Sequence, residues 1–393
     1  MPASSATLSI EVLSRIGAVP AAQWDAHADP DDPFTRHDFL LALEESGSAC
    51  PETGWAPSHM LARQGEKLVG SMPLYLKGHS HGEYIFDWGW ADAAMRNGIR
   101  YYPKLLSAVP FTPATGPRLR VDPTLSPEEQ EHVRRGLLAG AVQLAQRLQA
   151  SSFHLLFCTE AERASAEAVG LIGRQTMQFH WQDRGYGDFE GWLASFRSRR
   201  RKETRRERRL PTGVQVHDLR GEQLNPVQAR AVRAFYEDTC DKRGGEPYLS
   251  PDFFARLGAP LACRVLLAEV EERPVAMSLL FPRGRNLYGR YWGCLPQWES
   301  LHFELCYHRP IELCLREGFT RFEAGAQGTH KIQRGLMPSP TWSAHWIRHP
   351  GLSAAVAEAC VHEARQVQRQ MAVLAEHGPF HREEEGGDPV ASG

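Results

Sequence analysis

The segment from Glu323 to Gly335, Glu-Ala-Gly-Ala-Gln-Gly-Thr-His-Lys-Ile-Gln-Arg-Gly, concentrates groups that move protons and bind anions. A short apolar stretch, TRFEA over 320–324, reads as a strand that ends on a carboxylate and enters a glycine-rich loop. Glycines let a backbone approach a ligand closely. Glu323 at the strand end is a candidate base, and His330 is a second group able to carry a proton. Lys331 and Arg334 suit a phosphate or carboxylate, Arg in a bidentate manner, and Gln327 can donate or accept. The competing reading is a surface turn with a solvated Lys and Arg.

Three other groups of residues invite chemistry. Arg290-Tyr291-Trp292-Gly293 lies on a predicted strand, where alternation sends Arg290 and Trp292 to one face and Tyr291 to the other. Arg290 and Trp292 are candidate substrate contacts and Tyr291 a candidate catalytic hydroxyl; the alternative is an Arg stacked on Trp298 or paired with Glu304. Glu304 and His308, four apart on the next predicted helix, can meet on one face. Asp87 and Trp88, with Trp90 and Asp92, form an acidic and aromatic group suited to an amine. Residues 197–209 hold nine basic and two acidic side chains. Arg199, Arg200, Arg201, Arg205 and Arg206 would contact a polyanion such as tRNA, or an anionic membrane surface, or only solvent through a salt-bridged helix face.

The elements that must position these groups occur twice. PFTRHDFL (33–40) matches PYLSPDFF (247–254), LARQGEKLVGSMPLY (61–75) matches LAEVEERPVAMSLLF (267–281), and Trp88-Gly89 matches Trp292-Gly293. The order and near-constant spacing predict a duplicated domain. Each copy reads as a helix, a hairpin, a third strand (EYIFDWGW in the first, NLYGRYWG in the second), a helix and another strand. That is a mixed α/β unit twice over. The expected divisions are 1–187, a basic helical linker 188–212 with Asp188 as helix cap, 213–350, a C-terminal amphipathic helix 351–376 docked on the second unit, and a disordered tail 377–393.

Composition sets outer bounds. The chain has 393 residues, 42% hydrophobic and 23% charged, with a net charge of -2. This is a globular composition large enough for two or three domains, and the molecule as a whole is not a polycation. No apolar run is long enough to cross a bilayer and no secretory leader is apparent, so a cytoplasmic protein is expected. The eight cysteines make no C-x-x-C pair, and no metal or redox cofactor is implied.

PFTRHDFLLALEESGS, the stretch LVGSMPLYLKGHSHGEYIFDWGWADA, FRSRRRKETRRERR and EAGAQGTHKIQRGLMPSPTWSAHWI together resemble the FemAB-like N-acyltransferases, over about residues 10–375. The resemblance implies two tandem GNAT-like domains and transfer of an acyl group to an amine. The donor would be acyl-CoA, as in ordinary GNAT enzymes, or aminoacyl-tRNA, as in FemABX relatives; neither is a permanently bound cofactor. The acceptor would be a small-molecule or peptide-like amine. In that setting Glu323, Tyr291 and His330 are the expected catalytic residues, and Arg290, Trp292, Gln327, Lys331, Arg334, Asp87 and Trp88 the expected substrate contacts. The [QR]-x-x-G-x-[GA] loop that holds CoA pyrophosphate in GNAT enzymes is missing: the second copy reads CLPQWESLHFE there, the first ADAAMRNGIRYY. A non-catalytic ligand- or RNA-binding module on the same scaffold is the alternative.

Overall fold

The computed structural model describes residues 7–242, 244–325 and 328–381. Most predicted elements form. The hairpin His59–Gln64 to Lys67–Met72 turns at Gly65, whose φ of 61° suits glycine. Its counterpart, Arg264–Val270 to Arg273–Arg283, turns at Glu271 and Glu272, both with positive φ. Helix Pro127–Arg147 starts with a capping box between Ser126 and Glu129 and buries Val133, Leu137, Ala141 and Leu144. Helix Pro226–Lys242 precedes the second hairpin as expected.

The first copy departs from the predicted pattern after its hairpin. EYIFDWGW is not a strand: Glu83 to Asp87 form a loop, and Trp88–Arg96 is a helix. The place of the third strand is taken by Lys104–Ser107. Trp88-Gly89 is therefore not the structural counterpart of Trp292-Gly293, which lies on strand Asn286–Cys294.

A four-stranded sheet orders Leu8–Leu13, His59–Gln64, Lys67–Met72 and Arg120–Val121. All other strands join one eleven-stranded sheet. Its order is Val214–Arg220, Arg264–Val270, Arg273–Arg283, Asn286–Cys294, Arg321–Glu323, Ile172–Gln182, Met337–Ile347, Ser152–Cys158, Lys104–Ser107, Tyr75–Lys77 and Trp55–Pro57. Two pairs are parallel, Asn286–Cys294 with Arg321–Glu323 and Lys104–Ser107 with Ser152–Cys158, and each pairs over only three residues. At the centre the halves exchange strands. Ile172–Gln182 lies between Arg321–Glu323 and Met337–Ile347, while Met337–Ile347 lies between it and Ser152–Cys158. A cut at residue 187 would thus separate strands that are hydrogen-bonded side by side.

The linker is two helices rather than one. Asp188 caps Phe189–Ala194, accepting from the Gly191 N–H at 2.8 Å, and Phe189, Trp192, Leu193 and Phe196 are buried. The basic helix Ser198–Glu207 then starts afresh. The C-terminal helix Pro350–Glu376 buries Leu352, Val356 and Cys360 beside Ala91, Ala94 and Ile347. It also bonds Arg174 of the first half to Glu363 at 2.7 and 2.9 Å, so it rests on the shared strands and not on the second half alone. The expected tail is ordered as far as His381: Phe380 bridges Phe196, and the Arg197 N–H donates to the Pro379 carbonyl at 2.9 Å. The remainder of that tail, 382–393, lies outside the described residues. No helix among the described residues is long and apolar enough to cross a membrane.

Candidate functional site

Strand exchange assembles the centre. Ile172–Gln182 runs antiparallel to Arg321–Glu323 with Glu323 opposite His180. The Glu323 carboxylate is buried, with Oε2 3.8 Å from His180 Nε2 and Oε1 against the Arg321 guanidinium. Oε2 has no hydrogen-bond partner among the described residues. Burial pushes this carboxyl up to about 7, against the pull of Arg321, the Thr115 main-chain amide and Arg290. His180 Nε2 lies 3.3 Å from Gln178 Oε1, and burial keeps the ring neutral, well below the usual range.

Lys331, on the short turn Thr329–Arg334, comes within electrostatic range of His180 and Arg290, which also face Glu323. Its ammonium is buried and donates to the Gly325 carbonyl at 2.7 Å. Burial lowers it to about 7; Cys306 raises it and Arg290 lowers it further. A carboxyl and an amine that both titrate near neutrality in one buried place mark a candidate chemical centre.

Arg290 and Tyr291 do not alternate. Tyr291 pairs with Leu279 and Gly289 with Leu280, which leaves Arg290 as the extra residue of a bulge. Both side chains therefore reach the Phe111 carbonyl of the first half, Arg290 at 2.5 Å and the Tyr291 hydroxyl at 3.4 Å. Arg290 has neither of the partners expected for a purely structural role, Trp298 or Glu304, in its hydrogen bonds and ring contacts. Phe111 and Tyr84, whose phenol is near Tyr291 and Arg290, both have positive φ, 59° and 63°. Strain in non-glycine residues tends to collect at functional sites.

The other expected contacts go elsewhere. Trp292 is half-buried with its ring 5.2 Å from His302, and its carbonyl accepts from Thr239 at 2.9 Å. His330 is exposed and bonds the Tyr307 hydroxyl at 2.8 Å. Arg334 stacks 3.3 Å from the Phe303 ring centre and bonds Glu207. Gln327 lies outside the described residues. The Glu304–His308 contact does not form: these residues make one π-helical turn, in which i and i+4 no longer align. His308 bonds Glu207 at 2.9 Å instead, and Glu304 meets Arg208 and Arg309.

Asp87 belongs to a separate buried cluster. Lys104, fully buried, bonds Asp87, Glu83 at 2.8 Å and Ser80 at 2.7 Å; Tyr101 donates to Asp87 at 2.7 Å. Trp88 is 40% exposed beside His81. A groove of about 1220 Å³ lined by Leu8, Ile10, Met60, Gly136 and Gly140 holds none of the candidate residues.

His180 was missed by sequence reading, although a signal exists. His-Trp occurs at 180–181 and again at 345–346, each on an exchanged strand. Phe322 and Glu323 face Trp181 and His180; Phe153 and His154 face Trp346 and His345. A pseudo-two-fold thus relates Glu323–His180 to His154–His345. In the first half the pair is sealed: His154 Nδ1 meets His345 Nδ1 at 2.7 Å, and Ser152 and Ser343 close the chain at 2.7 and 2.9 Å. One tautomer of each neutral ring satisfies all three contacts; a first added proton has room only on the outer nitrogen of the donating ring, and a second would set two N–H groups face to face. Burial holds His154 at about 3 and His345 well below 6.5. Both groups are depressed, so above pH 6.5 they add no pH dependence. Below it the unfolded chain takes up two protons that the fold refuses. Stability should fall by roughly 1.4 kcal/mol per histidine per pH unit between pH 6 and 4. Urea midpoints for His345→Asn should show an acid slope smaller by about one proton; an unchanged slope refutes the sealed pair.

The exchanged sheet with two parallel pairs that diverge is that of a duplicated GNAT-like protein. The chain belongs to the FemAB-like family, described as peptidoglycan biosynthesis/recognition, whose family model matches residues 15–382. The fold is similar to that of FemX (TM-score 0.53, 12% identity, covering 86% of this chain and 98% of that one). It is also similar to the C-terminal DUF2156 domain of an Agrobacterium fabrum protein (TM-score 0.51, 11% identity, 87% and 96%). A tandem GNAT protein from clavulanic acid biosynthesis aligns over 88% of this chain and 99% of its own at 13% identity, with a TM-score of 0.46. Among curated protein sequences none matches the chain significantly.

Proposed function

We propose that this protein is an N-acyltransferase whose chemistry takes place at Glu323. The observation that carries this reading is the buried carboxyl near 7, with one oxygen unpartnered among the described residues and lying 3.8 Å from His180, which Lys331 also faces. The acceptor nitrogen attacks the donor carbonyl, forming C–N and breaking the C–O or C–S bond of the donor. Glu323 takes the proton the amine sheds and returns one to the leaving oxygen or sulfur. The Lys331 ammonium stabilises the oxyanion. Arg290 and Tyr291 hold the Phe111 loop over the centre. The second half works, because its pseudo-symmetric mate is the sealed histidine pair.

Aminoacyl-tRNA fits better than acyl-CoA as donor. The helix turn where a GNAT pyrophosphate would sit carries the buried Glu304 carboxylate, already neutralised by Arg208 and Arg309. The basic helix, in contrast, keeps free charge. Arg199 pairs with Glu203, Arg200 with Glu203 and Glu207, and Arg205 with Glu190. Arg201, Lys202, Arg206 and Arg209 have no acidic partner among the described residues. Lys202 and Arg206 are one turn apart on the exposed face, with Arg209 just beyond. The family description points to an amine of a peptidoglycan precursor as acceptor. Eight cysteines with no disulfide among the described residues agree with a reducing, cytoplasmic site of action.

The direct test offers bulk tRNA charged with labelled amino acids, or labelled acetyl-CoA, together with a lysine-containing peptide. Label should reach the peptide from aminoacyl-tRNA. Tight tRNA binding with no transfer from either donor would make the chain a binding module. Reversing Lys202, Arg206 and Arg209 to Glu should lower the slope of log affinity for tRNA against log salt by about 2 to 3, measured by fluorescence anisotropy. An unchanged slope would remove this face from the donor site.

A further inference from the structure

We infer that Glu207, one of the two acids in the basic run, is the joint by which helix Ser198–Glu207 holds the turn that carries Lys331; the functional meaning rests on the reading of Lys331 above. Glu207 accepts from three side chains on three elements, two of them guanidinium groups. Arg334 binds it through Nε at 3.1 Å and through a terminal nitrogen at 2.9 Å. Arg200 reaches it from the same helix at 3.0 Å, and His308 Nε2 from the π turn at 2.9 Å. Burial works to raise the carboxyl, but the His308 hydrogen bond and the Arg334 and Arg200 charges outweigh it and hold it at about 2.

The turn depends on this contact. Thr329–Arg334 is a short 3-10 stretch between Gly328 and Gly335, both with positive φ, at 116° and 74°. Such a segment has little intrinsic order, so its position is set by tertiary contacts. His330 bonds Tyr307, Gln333 bonds the His377 carbonyl, and Arg334 makes the largest set of contacts. Its third nitrogen donates to the His330 carbonyl at 2.8 Å and its guanidinium lies flat on Phe303. Arg200 adds a bond to the Gln333 carbonyl at 2.5 Å. Among the described residues, the hydrogen bonds from the helix to the turn pass through Glu207 or the Arg200 side chain that Glu207 holds. On the opposite side of the turn Lys331 is aimed at Gly325. Without the carboxylate, the Arg200 and Arg334 guanidinium groups would face each other unneutralised, His308 would lose its bond, and the turn would shift. Glu207 is a positioning residue, since it touches Lys331 only through the turn.

The test compares Glu207→Gln, which keeps the shape and loses the charge, with Glu207→Asp, which keeps the charge. In Glu207→Gln, amide hydrogen exchange over 328–336 should rise about tenfold, with little change in the central strands. Acetic anhydride should label the Lys331 amine about fivefold faster, read by peptide mass spectrometry. In turnover, kcat should fall about tenfold or more with donor KM nearly constant, because positioning and not binding is lost. Glu207→Asp should recover part of each change. Unchanged exchange and labelling in folded Glu207→Gln would overturn the inference, as would a rise spread evenly over the chain. Should Glu207→Gln not fold, Arg200→Gln keeps the Glu207–Arg334 pair, cuts the bond to Gln333 and must still raise labelling of Lys331; no rise would overturn the joint. Faster labelling alongside a wild type that transfers from neither donor would sink the acyltransferase reading and leave the joint standing.

Discussion

Glu323→Gln should lower kcat/KM by about 10² to 10⁴ while leaving donor affinity within about threefold of wild type. The amide keeps the size of the side chain and its place at the strand end, but it cannot accept a proton from the attacking amine. The pH profile supplies a second signature. Glu323 must be ionised and Lys331 protonated, and both titrate near 7, so kcat/KM should trace a narrow bell centred near neutrality. The permanently charged Arg321 and Arg290 and the neutral His180 face the same place and shift this bell without adding a limb to it. In Glu323→Gln the acid limb should disappear. Turnover that survives the substitution, or a profile that keeps its acid limb, would move the base elsewhere; His330 is then the next group to replace.

Lys104→Met should destabilise the fold by about 3 to 5 kcal/mol at pH 7 to 8, the largest stability effect expected of one substitution here. The cause is the two carboxylates left behind rather than the lost attraction. Glu83 and Asp87 are both buried, and each already has one oxygen without a hydrogen-bond partner among the described residues. Glu83 stands at about 7, raised by burial against the pull of Lys104, while Asp87 is held well below its usual range despite burial, chiefly by Lys104. Removing the ammonium raises Glu83 further above its unfolded value and lifts Asp87 from below its own to above it. The deficit should therefore be fully present above pH 7 and shrink as pH falls and the acids take up protons. Denaturation midpoints at pH 5.5 and 8 measure this directly. A uniform deficit at both values would mean that Lys104 acts through packing alone. Lys77, over the Trp55 ring at 3.6 Å and itself lowered to about 7, lies within electrostatic range of Glu83 and Asp87 and could compensate.

Most elements were legible because they are local. A capped amphipathic helix such as Pro127–Arg147 and a hairpin such as Arg264–Val270 with Arg273–Arg283 declare themselves by spacing, turn residues and caps. The duplicated α/β plan followed from the order of such elements, and its GNAT-like character from the FemAB-like resemblance. Glu323 and Lys331 stood out in the same way, as polar groups in a glycine-rich loop after a strand. EYIFDWGW misled because its alternation also fits a buried loop and a helix start, and the register of the repeat was extended one landmark too far.

What only the tertiary structure decided is which of these groups meet. His180 precedes Glu323 by more than a hundred residues and reaches it because the two halves exchange a strand, a pairing that no local period encodes. The same exchange placed His154 against His345 and so determined which half is sealed. Charge counting along the basic run identified a polycation but not which charges are spoken for. That depended on Glu207, Glu304 and Glu312, carboxylates whose partners sit up to 127 residues away. Sequence spacing determines which side chains share a face of one element. Burial, pairing and the shift of a carboxyl to about 7 depend on what other elements bring against that face, and there the physics is three-dimensional.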